Sequence, residues 1–93
     1  MKLEITKAAE RDLEESDRYW AETAGAAVAD RMGEELAKRL LLLTEFPRCG
    51  KAVPGAGSGV RCLPSGPYLI FYRIRRGAVQ VLHLRHAARH PIG

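Results

Sequence analysis

Tyr68-Leu69-Ile70-Phe71-Tyr72-Arg73-Ile74-Arg75-Arg76-Gly77-Ala78-Val79-Gln80-Val81-Leu82-His83-Leu84-Arg85-His86 reads as two strands joined by a turn. Aromatic and branched apolar side chains dominate its first eight residues, a composition that fits a pleated, half-buried surface. Arg76-Gly77 then supplies a two-residue connection, and Ala78–His86 returns antiparallel beside Tyr68–Arg75. Alternation with a period of two places Tyr68, Ile70, Tyr72 and Ile74 on one face of the first strand, and Leu69, Phe71, Arg73 and Arg75 on the other. The returning strand is apolar on both faces, through Val79 and Val81 on one and Leu82 and Leu84 on the other. That pattern predicts a place in the middle of a sheet or under a partner.

Upstream, residues 60–63 form a further short strand, ended by the turn Pro64-Ser65-Gly66-Pro67. Residues 48–59 hold four glycines and Pro54 and read as a loop. Gly55-Ala56-Gly57-Ser58-Gly59 is a connection and not a phosphate cradle: no Lys-Ser/Thr follows it, no strand leads into it and no helix opens after it. Toward the N-terminus the period changes from two to that of a helix. Ala9, Leu13, Ser16, Trp20 and Ala24 form one stripe, with Arg11, Asp12, Glu14, Glu15, Asp17 and Arg18 on the solvated side. Thr6 is the expected N-cap and Gly25 the break. A second helix, Ala26–Glu45, carries Ala29, Met32, Leu36, Leu40 and Leu43 on its stripe and ends before Pro47. Leu41 and Leu42 lie off that stripe, about 100° and 200° around from Leu40. They are either sandwiched within the fold or part of a surface for a partner. Residues 3–5 alternate apolar and charged, as in a short strand. The expected architecture is α+β, in the order β-α-α-β-β-β: a helical hairpin packed on one face of a small, mainly antiparallel sheet. The sheet's other face is left bare and is the expected working surface.

The chain has 93 residues, enough for one domain and one core. Its longest apolar run, from Leu40 to Leu43, is far short of the roughly 20 residues a membrane span needs. Met1-Lys2-Leu3-Glu4-Ile5 has no apolar signal core, so a cytoplasmic location is expected. The net charge of +4 conceals an asymmetry. Residues 1–46 carry 7 Lys/Arg against 11 Asp/Glu, a balance of −4, whereas residues 47–93 carry 8 Lys/Arg and no carboxylate, a balance of +8. The second half therefore carries a positive field suited to an acidic protein segment or a phosphate backbone, unless the acidic helices absorb it.

Catalytic chemistry is thinly supplied. Cys49 and Cys62 lack metal-ligand spacing and a neighbouring base. His83 and His86 sit three apart on a strand and point to opposite faces, so with His90 they make no metal site, and no cofactor is expected. Any reaction on the sheet would draw on a histidine for proton transfer and on arginines for charge stabilisation. By residue type, binding is favoured over turnover, because arginine clusters serve phosphate or carboxylate recognition.

Five patches in this order resemble the ParE/RelE superfamily of toxins. They are Thr6-Lys7-Ala8-Ala9-Glu10-Arg11-Asp12-Leu13, Phe46-Pro47-Arg48-Cys49-Gly50, Val60-Arg61-Cys62-Leu63-Pro64, Gly66-Pro67-Tyr68-Leu69-Ile70-Phe71-Tyr72-Arg73 and Leu84-Arg85-His86-Ala87-Ala88-Arg89. They span nearly the whole chain, so the resemblance implies a single toxin domain over residues 1–93. It also implies a cognate antitoxin protein as partner, with operator DNA reached only through that antitoxin, and no membrane. ParE-like members poison DNA gyrase without a complete nuclease set; RelE-like members cleave mRNA on the ribosome. The Tyr68–Arg73 strand and the ending with His86 and Arg89 look closer to ParE. The last tyrosine is Tyr72, whereas the nucleases often carry one at the C-terminus. On the gyrase reading Arg61, Arg73, Arg75, His86 and Arg89 are the target-binding candidates, and Leu41, Leu42, Leu69 and Phe71 the antitoxin-binding ones. On the ribonuclease reading Arg61, Arg73 and Arg85 would stabilise the phosphate and His86 would handle protons. A third reading is a non-toxic remnant that still binds an antitoxin.

Overall fold

The computed structural model describes residues 1–87. In chain order the elements are β1 (Lys2–Ile5), α1 (Lys7–Ala24), α2 (Ala26–Glu45), β2 (Lys51–Ala52), β3 (Arg61–Ser65), β4 (Tyr68–Arg75) and β5 (Ala78–His86). Thr6 holds an extended conformation, and its side chain accepts a hydrogen bond from the Ala9 N–H, which fixes where α1 starts. Gly25 breaks the hairpin at φ 93°, a conformation that L side chains resist. The 18-residue and 20-residue helices therefore lie side by side.

The strands form one sheet in the order β1-β5-β4-β3-β2. β1 runs parallel to β5, with Leu3 opposite Val79 and Ile5 opposite Val81; the other pairs are antiparallel. β5 is thus an interior strand over Ala78–Val81, flanked there by β1 and β4. The β4–β5 turn places Arg76 and Gly77 at φ 53° and 74°, the mirror-image conformation that suits a tight hairpin.

Three features depart from the expected pattern. The segment read as a loop contains β2, which pairs Lys51 with Cys62 and Ala52 with Arg61, so the described residues hold five strands. β3 also runs on through Pro64 and Ser65, which were expected to turn. Pro64 is tolerated because β2 reaches only as far as Cys62, leaving β3 an edge there. Thirdly, the β4–β5 register steps from Phe71↔His83 to Tyr72↔Val81, making Leu82 an extra residue in β5. This bulge reverses the parity of everything beyond it. Leu84, expected opposite Val79 and Val81, pairs with Ile70 and shares their buried face.

The core lies between sheet and helices. Ala9 of α1 and Leu36, Leu40 and Leu43 of α2 pack against Leu63, Ile70, Tyr72, Val79, Val81 and Leu84. Trp20 is half-buried at the edge of this cluster.

Candidate functional site

The register assigns every sheet residue to a face. Opposite the helices lie Cys62 and Pro64 of β3, Leu69, Phe71, Arg73 and Arg75 of β4, and Gln80, His83 and Arg85 of β5. Lys51, Lys2 and Glu4 join them through their partners Cys62, Ala78 and Gln80. The face therefore has an apolar centre in Leu69 and Phe71, with Lys2, Lys51, Arg73, Arg75 and Arg85 around it and Glu4 as its carboxylate. Arg73 donates from Nε to Gln80 Oε1 at 2.7 Å, which ties its guanidinium across to β5. Arg75 stands exposed at the hairpin end.

The outer edge of β5 is managed beyond the end of β1. Thr6 Oγ1 donates to the carbonyls of Val81 and Leu82, at 2.8 and 3.2 Å, where the bulge turns them outward. One turn and a half into α1, Asp12 Oδ2 accepts the Leu84 N–H at 3.0 Å and lies 3.5 Å from His83 Nδ1. A backbone donor on an open strand edge is thereby satisfied. Nothing in the sequence patterning singled out Asp12, which reads as one acid among many on the solvated face of α1.

His86 faces the helices, opposite Tyr68. Ser16 Oγ and Trp20 Nε1 both donate to Tyr68 Oη at 2.8 Å, and the His86 ring stands edge-on to Tyr68 at 5.3 Å. Ser16 fills its place in the apolar stripe of α1 because its hydroxyl has this buried partner. His86 Nδ1 is buried without a hydrogen-bond partner. It borders a polar groove of about 270 Å3 that Asp12, Glu15 and Arg85 also line.

Arg61 pairs with Tyr72 and so lies on the helix side of the sheet, away from Arg73 and Arg85. Its NH1 group donates to the carbonyls of Gly50 at 2.8 Å and Arg48 at 3.3 Å, tying β3 to the segment that leaves α2. The Gly50 N–H donates to Tyr72 Oη at 2.9 Å. A Cβ at Gly50 would stand 2.6 Å from that hydroxyl and 2.8 Å from the Cys62 carbonyl, so only glycine fits. Burial raises the Tyr72 hydroxyl above its ordinary pKa, against the opposing pull of the Gly50 hydrogen bond; burial also raises the Cys62 thiol. A buried tyrosine needs a partner for its oxygen, which is the one signal in the sequence that could have pointed to this junction.

The candidates are therefore dispersed. Arg73, Arg75, Arg85, Leu69 and Phe71 share the uncovered face. Arg61 and His86 are on the helix side, four residues apart along β4, since their partners are Tyr72 and Tyr68. Leu41 is 62% exposed on α2 and Leu42 is half-buried. Arg89 and His90 lie outside the described residues. Among the described residues no three His, Cys, Asp or Glu side chains come together as a metal site, and no helix is long and apolar enough to cross a membrane.

Comparison with known proteins gives this geometry a context. Toxin ParE1 of Caulobacter vibrioides is 28% identical over 91 residues, covering 96% of this chain and 95% of that protein. The chromosomal ParDE toxin–antitoxin system from P. aeruginosa contains a chain of the same fold, with a TM-score of 0.80 at 22% identity over 92% of this chain and 95% of that one. The RelBE2 toxin–antitoxin complex from Mycobacterium tuberculosis is more distant, with a TM-score of 0.54 at 21% identity over 91% of this chain and 88% of that one. A family model described as the ParE toxin of the type II toxin–antitoxin system parDE matches residues 3–91. With nearly its whole length matched, the chain belongs to the ParE family of type II toxins.

Proposed function

We propose that this toxin inhibits DNA gyrase in the cytoplasm by binding, without a catalytic step, and is neutralised by a cognate antitoxin. The observation that carries the choice of target is the division of the candidate residues by the sheet. A nuclease needs its proton-transfer group and its charge-stabilising arginines around one phosphate, within hydrogen-bond reach. Here Arg73 faces away from the helix side on which His86 lies, Arg61 is committed to the carbonyls of Gly50 and Arg48, and of the candidate arginines Arg85 alone lines the groove that His86 borders. What the uncovered face offers is an apolar centre with basic surroundings, the composition of a protein-docking surface. An acidic antitoxin segment fits the same field, with Leu69 and Phe71, and Leu41 and Leu42 on α2, as its apolar contacts.

The test is a gyrase supercoiling assay with the purified chain, run with and without trapping of cleaved DNA. Dose-dependent inhibition, or accumulation of cleaved DNA, is the expected result, reversed by the antitoxin. Folded protein that binds its antitoxin yet leaves gyrase untouched refutes the reading. The unpartnered Nδ1 of His86 favours a second reading, ribosome-dependent mRNA cleavage. On that reading His86→Ala abolishes the cleavage of mRNA on translating ribosomes. Harmless overexpression of soluble protein would instead mark a non-toxic remnant.

A further inference from the structure

Four strands contribute one residue each to a row across the uncovered face. Lys51 of β2 stands opposite Cys62 of β3, Cys62 opposite Phe71 of β4, and Phe71 opposite His83 of β5. Neighbouring strands lie about 4.8 Å apart, so the row spans roughly 14 Å. Its ends are a lysine and a histidine, and its middle is a thiol and an aromatic ring, each half-buried. Beyond His83 the row is closed by Asp12, which reaches over the edge of β5 from α1 and sets Oδ2 3.5 Å from His83 Nδ1. The two side chains are 44% and 21% exposed.

The oxygen that faces His83 is already in use, since Asp12 Oδ2 also accepts the Leu84 N–H at 3.0 Å. At 3.5 Å its contact with the imidazole is too long for a good hydrogen bond and suits an ion pair, which exists only when the ring carries a second proton. With Nδ1 turned to Asp12, Nε2 is the nitrogen left for a partner. The other charged groups around His83 on this face are cations: Lys51 at the far end of the row, Arg73 next to Phe71 along β4, and Arg85 two residues on along β5. Cys62 adds no charge near neutrality, because burial raises its thiol. Glu4 belongs to the adjoining row, across β5 from Arg73 and opposite Gln80. A carboxylate brought to Nε2 is what would offset these cations and favour the imidazolium.

We propose that His83 is a proton-linked contact for the acidic antitoxin segment. Laid across the row, the segment gives one carboxylate to Lys51, covers Phe71 with an apolar side chain and brings a second carboxylate to His83, which takes up a proton as the segment binds. The inference rests on the reading above that the antitoxin covers this face, and the charge complementarity of the row commits it to that occupant. A complex that takes up a proton on forming is tighter at lower pH. Between pH 8 and pH 6 ordinary carboxylates and lysines keep their charge while imidazoles change theirs, so the effect falls in that window.

The experiment is calorimetry of antitoxin binding to wild type, His83→Gln, His83→Arg and Lys51→Glu, each checked for folding by its thermal midpoint. Affinity is read at pH 6 and pH 8, and proton uptake at pH 7 from two buffers of different ionisation enthalpy. Wild type takes up protons and binds roughly threefold or more tighter at pH 6 than at pH 8, the worth of one partly exposed ion pair. His83→Gln takes up fewer protons and binds at both pH values as wild type does at pH 8. His83→Arg carries a permanent charge and keeps the tighter affinity at both. Proton uptake and a pH ratio that are the same in wild type and His83→Gln overturn the proposal. Lys51→Glu tests the underlying reading, with a loss of roughly fivefold or more expected at pH 8. Where that loss appears and the His83 variants behave as wild type, the proton link alone falls. Affinity unmoved by Lys51→Glu takes the antitoxin off this row and overturns both.

Discussion

Tyr72 is fully buried and serves the fold through one atom. Its hydroxyl receives the Gly50 N–H, and Gly50 in turn presents its carbonyl to Arg61, so three segments meet at a single phenol. Removing the hydroxyl in Tyr72→Phe keeps the ring but leaves a buried backbone donor without an acceptor, at a cost of about 1–3 kcal/mol. Urea unfolding at neutral pH measures it. The raised pKa adds a pH dependence whose sign is fixed. Above the ordinary value of 10.0 the unfolded chain gives up the Tyr72 proton while the folded chain still holds it. The folded state then binds more protons, and stability falls as pH rises. The contribution is intact below pH 10 and is lost as pH climbs toward the raised folded value. Cys62 acts in the same direction from its ordinary 9.0 upward. Unfolding curves between pH 8 and 11 should therefore show a decline that is shallower in Tyr72→Phe, with the part due to Cys62 remaining. Identical slopes in the two proteins would contradict the assignment.

At the scale of elements, local chemistry announces itself and pairing does not. The ends of α1 and α2 were legible because Thr6 and Gly25 act on their own neighbours, and the β4–β5 hairpin because Arg76-Gly77 and the period-two run are contiguous. β2 was not, since two residues in a glycine-rich stretch become a strand only by meeting Arg61 and Cys62. The bulge at Leu82 left no mark on the sequence either, because its cause lies 70 residues and more away. β1 ends at Ile5, Thr6 collects the carbonyls of Val81 and Leu82, and Asp12 accepts from Leu84. That is why Leu84 was assigned to the wrong face, and why the arginines could not be grouped by parity alone. The same reasoning predicts that Asp12→Ala, which strands the Leu84 N–H at an otherwise open edge, costs about 1–3 kcal/mol. Asp12→Asn keeps an oxygen acceptor and costs clearly less. Equal losses, measured by urea unfolding at pH 7, would mean that the carboxylate's charge matters here and the hydrogen bond does not.

For the whole molecule the decisive property is that the charge asymmetry of the sequence survives folding as an asymmetry of faces. The acidic helices cover one side of the sheet. Lys2, Lys51, Arg73 and Arg75 occupy the other with Glu4 as their counter-charge, and Arg85 stands at its border, where it lines a groove with Asp12 and Glu15 of α1. Separated across a layer, the two sets act at a distance as a dipole, and an incoming acidic segment is steered to the sheet before any contact is made. Steering of this kind governs association rates and is screened by salt over about 8–10 Å at physiological ionic strength. Arg75 and Arg85 are the residues to change, because Arg73 is engaged with Gln80. In the variant Arg75→Glu with Arg85→Glu, antitoxin association at low ionic strength should slow by roughly tenfold or more. The difference from wild type should shrink toward nothing near 0.5 M salt, where the screening length is only ~4 Å. Stopped-flow association rates across a salt series make the measurement. Curves that stay parallel at every salt concentration would show that the arginines act through short-range contacts. Rates equal to wild type throughout would move the antitoxin off the sheet face, leaving the exposed surface of α2 around Leu41 as the apolar ground for it to cover.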